Sequence, residues 1–460
     1  MIQNYNLSQI LKKALSHGGD FSEIFFEKSD STQVQCEEKK IERLQVGTDM
    51  GVGIRVLFGG ETAYAYTNDF TEPSLLMLAD SVAAAVKAKK FDRDINLTTQ
   101  SPSWKNAVQV EPSGIPFDQK VEQVLKANKT AWAVDTQIRQ VSVSYRDQIR
   151  QILVANSEGQ LCEDHQVYTV FVVQVVAGSG DVIQTGYEPV GGTVGFEIFK
   201  SEDPEKVALL AAKQALLMLK ARKAPAGRMP VVLSSEAGGT MIHEAVGHGL
   251  EADLAYEELS VYKNKIGSRI ASPLVTVWDD KTVPGKRGSF VFDDEGTPAQ
   301  KTVLVENGIL KTYMYNRLYA GKASVASTGN GRRQSYRNRP IVRMTNTMIA
   351  PGKDNPEEII RSVESGLFVK KMGGGQVNTV NGDFMFEVTE GYLLEKGKIG
   401  EPVRGATLTG NGPEILNLID KVGTDLGFGI GTCGKDGQGV PVADAQPTIR
   451  IPEIVVGGAA

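Results

Sequence analysis

The chain has 460 residues and a formal net charge of −5 at pH 7, with 41% hydrophobic and 23% charged residues. These proportions are typical of globular proteins, and a chain of this length needs two or three domains instead of one hydrophobic core. The acidic balance provides no general attraction to nucleic acid or to an anionic membrane, so neither is predicted as a partner.

The N-terminal part alternates between helical and strand-like patterns. The predicted elements are, in chain order, a helix over residues 8–17 capped by Ser8, strands at 22–27, 33–37, 53–58 and 62–66, helices at 72–90 and 117–135, β structure from 140 to 199 with a turn at 156–159, and a helix at 204–221. The apolar run 167–177 is about half a membrane-spanning length and predicts a buried strand. Residues 1–222 are therefore predicted to form an α+β domain.

A segment rich in proline, glycine and basic residues, RKAPAGRMP at 222–230, predicts the domain boundary. Beyond it, residues 231–234 predict a short strand, and residues 238–247 predict a helix. Asn-Gly pairs at 307–308 and 381–382 predict hairpins, and helices are predicted at 356–367 and 413–422. The predicted fold class is α+β, with an N-terminal α+β domain (1–222) followed by a β-rich C-terminal domain (223–460) that carries the helix at 238–247.

The sequence around that helix, AGGTMIHEAVGHGLE (237–251), contains two of the four histidines of the chain, His243 and His248, and a carboxylate at Glu244. Imidazoles are common zinc ligands, and a neighbouring glutamate is the usual general base. At five residues apart, the two rings lie roughly 140° apart on a regular α-helix. The pattern therefore predicts a helix that ends or bulges near Gly247. The dihedral freedom of this glycine would let His248 turn toward the same side as His243. The alternative is two ordinary helix histidines.

A catalytic zinc ion needs a third protein ligand. Cys433, in the glycine-rich sequence GIGTCGKDGQG, is a candidate; the alternative is a small buried residue in a glycine loop. Cys36 and Cys162 are predicted to be structural, and neither His17 nor His165 is a predicted ligand. The three cysteines are too far apart for a disulfide framework, and no signal peptide is apparent, so the cytoplasm is the predicted location.

The sequences HEAVGHGLEAD (243–253), STGNGRR (327–333) and GTCGKDGQ (431–438) resemble those of the TldD/PmbA metalloprotease family, and the resemblance covers essentially the whole chain. It implies that His243, His248 and Cys433 hold one zinc ion per chain and that Glu244 is the catalytic carboxylate. Because the PmbA (TldE) type of subunit lacks the histidine motif, this chain resembles the catalytic, TldD-like branch. The resemblance also implies a dimer, either a homodimer or a heterodimer with a PmbA/TldE-like subunit.

Other residues leave alternatives open. Glu251 and Asp253 could orient the histidines or face solvent. The five arginines of GRRQSYRNRPIVR (331–343) predict pairing with carboxylates across domains or subunits, in preference to a nucleic-acid patch. The glycines at 373–375 predict backbone that another group approaches closely. Because a thiolate ligand weakens the Lewis acidity of zinc, an additional oxyanion donor is expected, with Lys435 and Tyr262 as candidates.

The predicted function is zinc-dependent hydrolysis of unfolded or short peptides. The alternative is a non-catalytic, zinc-stabilised regulatory or interaction subunit, of the kind that has been labelled a modulator of DNA gyrase. The retention of Glu244 favours catalysis, because a structural zinc needs no base and normally has a fourth protein ligand.

Overall fold

The structure is a computed structural model, which describes residues 5–86, 94–102 and 104–458. Its strands are β1 (Phe21–Glu37), β2 (Lys40–Phe58), β3 (Glu61–Thr67), β4 (Thr98–Thr99), β5 (Ile138–Asn156), β6 (Gln160–Ser179), β7 (Val182–Gly192), β8 (Arg222–Lys223), β9 (Gly227–Leu233), β10 (Val277–Asp280), β11 (Lys301–Glu306), β12 (Ile309–Leu310), β13 (Gly331–Arg332), β14 (Ile341–Val342), β15 (Asn346–Ile349), β16 (Ser365–Val377), β17 (Asp383–Glu395), β18 (Lys398–Arg404), β19 (Thr407–Asn411), β20 (Lys421–Val422), β21 (Gly427–Lys435), β22 (Gln438–Gln446) and β23 (Ile449–Gly457).

The helices are mostly short. They are α1 (Leu7–Ala14), α2 (Glu72–Ala84), α3 (Phe117–Trp132), α4 (Ile198–Ser201), α5 (Pro204–Lys220), α6 (Thr240–Ile242), α7 (Ala252–Tyr256), α8 (Arg317–Ala323), α9 (Pro356–Arg361) and α10 (Gly412–Leu418), with 3₁₀ turns at Pro112–Gly114, Ser235–Ala237 and His248–Leu250 and a π-helical turn at His243–Gly247. Within the described ranges, no helix is long and apolar enough to cross a membrane.

The first sheet contains β1 to β7, in the order β3-β2-β1-β5-β6-β4, with β7 also paired to β6. Alternating apolar side chains of its central strands face helices α3 and α5, where Val143 and Phe171 pack against Val124 and Ala211. Fully burying one such large aliphatic or aromatic side chain contributes about 1.5–3 kcal/mol. A second group of apolar residues packs beneath α1 and α2.

Sheets of eight and six strands follow. In one, β16, β9, β23, β19 and β17 are neighbours in that order, and β16 also pairs with β17, so the five strands close a ring. The other has the order β12-β11-β10-β15-β22-β21, with β15 and β22 parallel and β21 at one end. The apolar side of residues 240–250 packs between these two sheets, with Ile242, Val246 and Leu250 fully buried.

A buried group of charges, the central ion cluster, joins the first sheet to the rest of the chain. Arg55 on β2 contacts Glu23 on β1 at 2.6 Å and Glu295 at 2.7 Å, and Arg333 also contacts Glu23. All four side chains are at most 1% exposed. Burial by itself raises the pKa of Glu23, but the two guanidinium groups outweigh it and lower that pKa. Each charge is therefore compensated, as a buried ion must be.

The α+β fold class is confirmed, as are the helix at 204–221, the buried strand at 167–177 and the hairpin at 307–308. Both residues of that hairpin, Asn307 and Gly308, have positive φ. The hairpin at 381–382 is also confirmed, since these residues lie in the connection from β16 to β17. The domain boundary near residue 222 stays a prediction.

Several element bounds were wrong. Helix α1 is capped by Asn6, whose side chain accepts a hydrogen bond from the Gln9 backbone, and not by Ser8. The strand pieces at 22–27 and 33–37 form one continuous strand, because the polar residues between them stay paired with β2. The helices predicted at 356–367 and 413–422 end early, at Arg361 and Leu418, and strands β16 and β20 begin a few residues later. Helix α2 ends at Ala84, and residues 87–90 lie outside the described ranges.

Candidate metal centre

The helix that carries both histidines changes its winding between them. Residues 240–242 are α-helical, His243–Gly247 forms a π-helical turn, and His248 begins a 3₁₀ turn. The backbone N–H of His248 donates to the carbonyl of His243, which is the i to i+5 bond of a π-helix. The wider turn brings the second imidazole back to the side of the first. The expected bulge near Gly247 is therefore present, and it explains how two histidines five residues apart lie on the same side of the helix.

The role predicted for Gly247 was partly wrong. Its φ of −53° and ψ of −56° are ordinary helical values that any residue adopts. What the position requires is the absence of a side chain, because a Cβ there would lie 2.0 Å from Sδ of Met344. Dihedral freedom is used earlier, at Gly238, where φ is +66° just before the helix begins.

Replacing Gly247 by alanine is expected to destabilise the protein by about 1–3 kcal/mol, because the new methyl group must displace Met344 from a packed core. Denaturant unfolding measures this change. The matched control is Gly321→Ala in α8, where a Cβ meets nothing within 4 Å and the substitution is expected to be neutral or mildly stabilising. Equal stability of the two variants would contradict the packing argument.

Cys433 faces the two imidazoles from β21. This strand pairs with β22 as a hairpin, with Cys433 opposite Val440 and a turn through Asp436 and Gly437, both at positive φ. Nε2 of His243 lies 3.2 Å from Sγ of Cys433, and Nε2 of His248 lies 3.4 Å from it. The glycine-rich loop expected around Cys433 is thus a strand. Arg343, which is fully buried, donates to the carbonyls of Cys433 and Gln438 and so fixes the hairpin.

The donor set fits a zinc ion. The ligating atoms of His243, His248 and Cys433 all lie within 4.8 Å of one another. Zinc bonds of about 2.0–2.1 Å to nitrogen and about 2.3 Å to sulfur place tetrahedral ligand atoms about 3.5 Å apart, close to the N···S distances observed here. Two imidazoles and one thiolate are also ligand types that zinc prefers.

The electrostatics favour the ligating form of the cysteine. Burial raises the pKa of the Cys433 thiol, but hydrogen bonds and charge from His243 and His248 outweigh it and lower that pKa to about 5. Burial lowers the pKa of both imidazoles, and the neighbouring anions, Cys433 for both and Glu251 for His248, raise it above the usual value. The thiolate, which is the form that binds metal, is therefore favoured at neutral pH.

Glu251 orients His248 and does not face solvent. Its Oε2 lies 3.0 Å from Nδ1 of His248, which leaves Nε2 of that ring free to face Cys433. The same Oε2 accepts from Nζ of Lys435 at 3.0 Å, and Lys435 also contacts both oxygens of Asp253 at 2.7 Å. Burial raises the pKa of Glu251, but Lys435 and His248 lower it to about 2. This chain of contacts joins the histidine segment to the cysteine hairpin.

Neither candidate oxyanion donor is free for that role. The Lys435 ammonium is occupied by Glu251, Asp253 and the Val342 carbonyl. The Tyr262 hydroxyl is fully buried and donates to the Ala245 carbonyl at 3.0 Å. Both residues support the backbone around the centre.

A cleft of about 590 Å³ opens beside the side chains of His243, His248 and Cys433. It is bounded by residues 187–189 of β7, residues 371–375 of β16 and residues 428–434 of β21. The glycines at 373–375, expected to admit a close neighbour, are part of its wall. Lys371 of β16 forms an ion pair with Glu188 of β7 beside the cleft.

Glu244 lines this cleft but does not belong to the ligating group. Among the described residues, its carboxylate has no hydrogen-bond or ion-pair partner. Burial raises its pKa, and the opposing charges of His243 and His248 offset this only in part.

Asp444 on β22 also lies beside the histidines, and the sequence did not predict it. Its Oδ2 lies 4.0 Å from Nδ1 of His243, and its Oδ1 accepts a hydrogen bond from the Gly239 backbone N–H at 3.2 Å. Asp444 is 201 positions after His243 in the sequence, so no spacing pattern could have predicted that the two residues lie together.

Two of the five arginines at 331–343 pair with carboxylates of the first sheet, as predicted. Arg333 contacts Glu23, and Arg337 forms a bidentate pair with Asp49 of β2. Arg332 and Arg343 donate to backbone carbonyls. The contacts of Arg333 and Arg337 connect this segment to the first sheet.

Comparison with known proteins matches three family profiles along the chain. Residues 22–88 match the PmbA/TldA metallopeptidase domain 1, residues 110–219 the central domain and residues 226–458 the C-terminal domain. The chain belongs to the PmbA/TldD metalloprotease family. A relative in Haemophilus influenzae, named a metalloprotease TldD homolog, is 38% identical over 454 residues, covering 95% of this chain and 93% of that protein. A relative in Saccharolobus solfataricus, named a zinc metalloprotease TldD homolog, is 29% identical over 451 residues, covering 97% and 99%.

Solved structures of two proteins share the PmbA/TldD fold. A candidate modulator of a DNA gyrase from Thermotoga maritima superposes with a TM-score of 0.81 at 22% identity, covering 98% of each chain. TldE from Thermococcus kodakarensis superposes with a TM-score of 0.79 at 19% identity, covering both chains completely. At these identities the comparison establishes the fold.

Proposed function

We propose that this chain is a zinc-dependent peptidase that hydrolyses short or unfolded peptides, with one zinc ion held by His243, His248 and Cys433. The observation that carries the proposal is the unpaired carboxylate of Glu244, which lines the same cleft as the three ligating groups. When bound there, zinc would supply Lewis acidity, which acidifies water and polarises the scissile carbonyl.

Glu244 would be the general base. Its carboxylate is available to accept a proton from the attacking water and then to pass that proton to the leaving amine. Burial raises its pKa, which makes it a better base than an exposed glutamate and brings it nearer to neutral pH. The opposing charges of His243 and His248 offset part of this rise.

The cleft suits an extended peptide backbone. Its walls include the glycine-rich parts of β16 and β21, and β21 lies at one end of its sheet. A peptide that pairs with such a strand is held mainly through main-chain hydrogen bonds, which read little side-chain sequence. We therefore infer that size and disorder select the substrate. Enclosure of the cleft in a homodimer, or in a heterodimer with a TldE-like subunit, would exclude folded proteins further.

Short or destabilised substrates are expected to be cut at many positions, while stably folded proteins survive. The measurement is digestion of one small protein in its native form and in a destabilised variant, under identical conditions, with mass spectrometry of the products. Equal cleavage of both forms, or cleavage at a single sequence motif, would refute selection by disorder.

The alternative is a zinc-stabilised subunit without catalytic activity. The cleft beside His243, His248 and Cys433, together with the unpaired Glu244, favours catalysis. The deciding experiment is a peptidase assay of the zinc-loaded chain, alone and with a TldE-like partner. Zinc binding without peptide hydrolysis in either preparation would leave the regulatory function as the better explanation.

A further inference from the structure

A second cavity, here called the basic pocket, adjoins the cleft on the face of the first sheet. Its volume is about 540 Å³, and its lining includes Gln33, Arg146 and Arg287. Tyr187 and Thr432 line both the basic pocket and the cleft, and Thr432 precedes the candidate ligand Cys433. A peptide of a few residues that lies across the candidate metal centre would therefore extend into the basic pocket.

The basic pocket carries positive charge that its own carboxylate does not neutralise. Neither Arg146 on β5 nor Arg287 has an ion pair within the described part of the chain. The carboxylate in the lining, Asp147, is already paired with Lys120 at 2.6 Å. Burial lowers the pKa of Arg287, and the nearby charges of Arg332 and Arg146 lower it further. Partly buried charge of this kind is stabilised when a ligand supplies the opposite charge.

Arg287 is also held in place. Its Nε donates to the Gly431 carbonyl at 3.2 Å, Nη2 lies 3.5 Å from Oγ1 of Thr432, and its guanidinium lies over the Tyr168 ring. These contacts fix one edge of the guanidinium against β21. Its remaining N–H groups are therefore positioned to bind a planar anion in the bidentate manner that arginine prefers.

An unsatisfied neutral donor lies in the same cavity. Nε2 of Gln33 is buried and has no hydrogen-bond partner within the described residues. A buried donor without an acceptor costs free energy, which a bound acceptor would recover. The cavity thus combines the exposed guanidinium of Arg146 and the half-buried guanidinium of Arg287, both without an ion pair in the described ranges, with a buried amide donor. These three groups together favour an anionic ligand rich in acceptors.

We propose that the basic pocket binds a carboxylate of the peptide substrate, through Arg146 and Arg287, and so positions the peptide across the cleft. This inference rests on the proposed peptidase function, because the anions that a peptide carries are carboxylates. The carboxylate is either the C-terminal group of the chain or an aspartate or glutamate side chain. Recognition of the terminal group agrees with selection by size, because every peptide has one.

The test uses zinc-loaded Glu244→Gln protein, so that binding is measured without turnover. Three fluorescent hexapeptides of alanine and glycine are compared by anisotropy: one with a free C-terminal carboxylate, one amidated, and one amidated with a single internal glutamate. The free acid is expected to bind about 10-fold more tightly than the neutral amide, the scale of one charged hydrogen-bonding pair. Tight binding of the glutamate peptide would identify the side chain as a source as well.

The variant Arg146→Gln, made in the Glu244→Gln protein, is expected to reduce the preference for the free acid over the amide to below about 3-fold. The matched control is Arg361→Gln, which removes an exposed arginine of α9 that pairs with Glu357. Arg287→Lys is tested together with its zinc content, because Arg287 also contacts the cysteine strand. If these variants keep zinc but no longer bind the free acid more tightly than the amide, the peptide carboxylate binds at Arg146 and Arg287.

Equal binding of the three peptides would overturn the inference. A preference that persists in both arginine variants would also overturn it, because the carboxylate would then bind elsewhere, for example on zinc itself. If Arg361→Gln reduces the preference for the free acid as much as Arg146→Gln does, the effect comes from the overall charge of the protein. Hydrolysis by the unmodified protein is measured separately: carboxylate-selective binding without cleavage would refute the peptidase and leave the anion site in place.

Discussion

Replacement of Glu244 by alanine is expected to lower peptide hydrolysis at least about 100-fold, the usual contribution of a general acid–base group. Zinc content and thermal stability are expected to stay close to those of the unmodified protein, because the carboxylate lies outside the ligating group and has no ion pair in the described ranges. The measurement is kcat/KM for a short peptide, together with metal analysis of the same preparation.

Two further variants sharpen this prediction. Glu244→Gln preserves the shape of the side chain and is expected to be equally inactive, which separates proton transfer from packing. Glu357→Gln, an exposed carboxylate of α9, is expected to retain full activity. Loss of zinc from Glu244→Ala would make this residue a ligand, and unchanged turnover would point to a structural metal.

The second large effect concerns the metal. Cys433→Ala is expected to lower zinc affinity by more than about 100-fold, since even changes to groups that only orient ligands cost about 10–100-fold. Activity would be lost with the metal. The matched control is Cys36→Ala, which removes another buried thiol, from β1, and is expected to keep about one zinc ion per chain. Full zinc occupancy in Cys433→Ala would exclude this residue from the site.

The same centre predicts a pH dependence. The Cys433 thiol has its pKa lowered to about 5, so the thiolate is present above that pH and takes up a proton below it. Zinc retention is therefore expected to fall on acidification through this range. The raised pKa values of the imidazoles act in the same direction, because protons compete with zinc for both rings.

The sequence was most informative about the histidine segment. A five-residue spacing is incompatible with two facing residues on a regular α-helix, so a change of winding could be predicted from geometry alone. Its form could not: the π-helical turn depends on how residues 240–250 pack between two sheets whose strands come from distant parts of the chain. Likewise, the steric role of Gly247 depends on Met344, which no local pattern reveals.

Residues that support the centre from a distance were harder to predict. Glu251 could be proposed as an orienting group because it lies three residues from His248, whereas Asp444 and Arg343 approach from other strands. The long first strands were also fragmented by the sequence patterns. The half-buried middle of β1 and the exposed first half of β2 lack apolar alternation. The turn between β1 and β2 uses Glu38 and Lys39 at positive φ instead of glycine.

The central ion cluster has a consequence for the synthesis of the chain on the ribosome. Glu23 and Arg333 are 310 residues apart, so at roughly 5–20 residues per second Arg333 emerges about 15–60 s after Glu23. For most of that interval, Glu23 has Arg55 available as a partner but lacks its second guanidinium partner, and Glu295 also follows late. The first sheet can form its backbone pairs and its Glu23–Arg55 ion pair early. The partners that complete this buried cluster, Glu295 and Arg333, follow only when most of the chain has been translated.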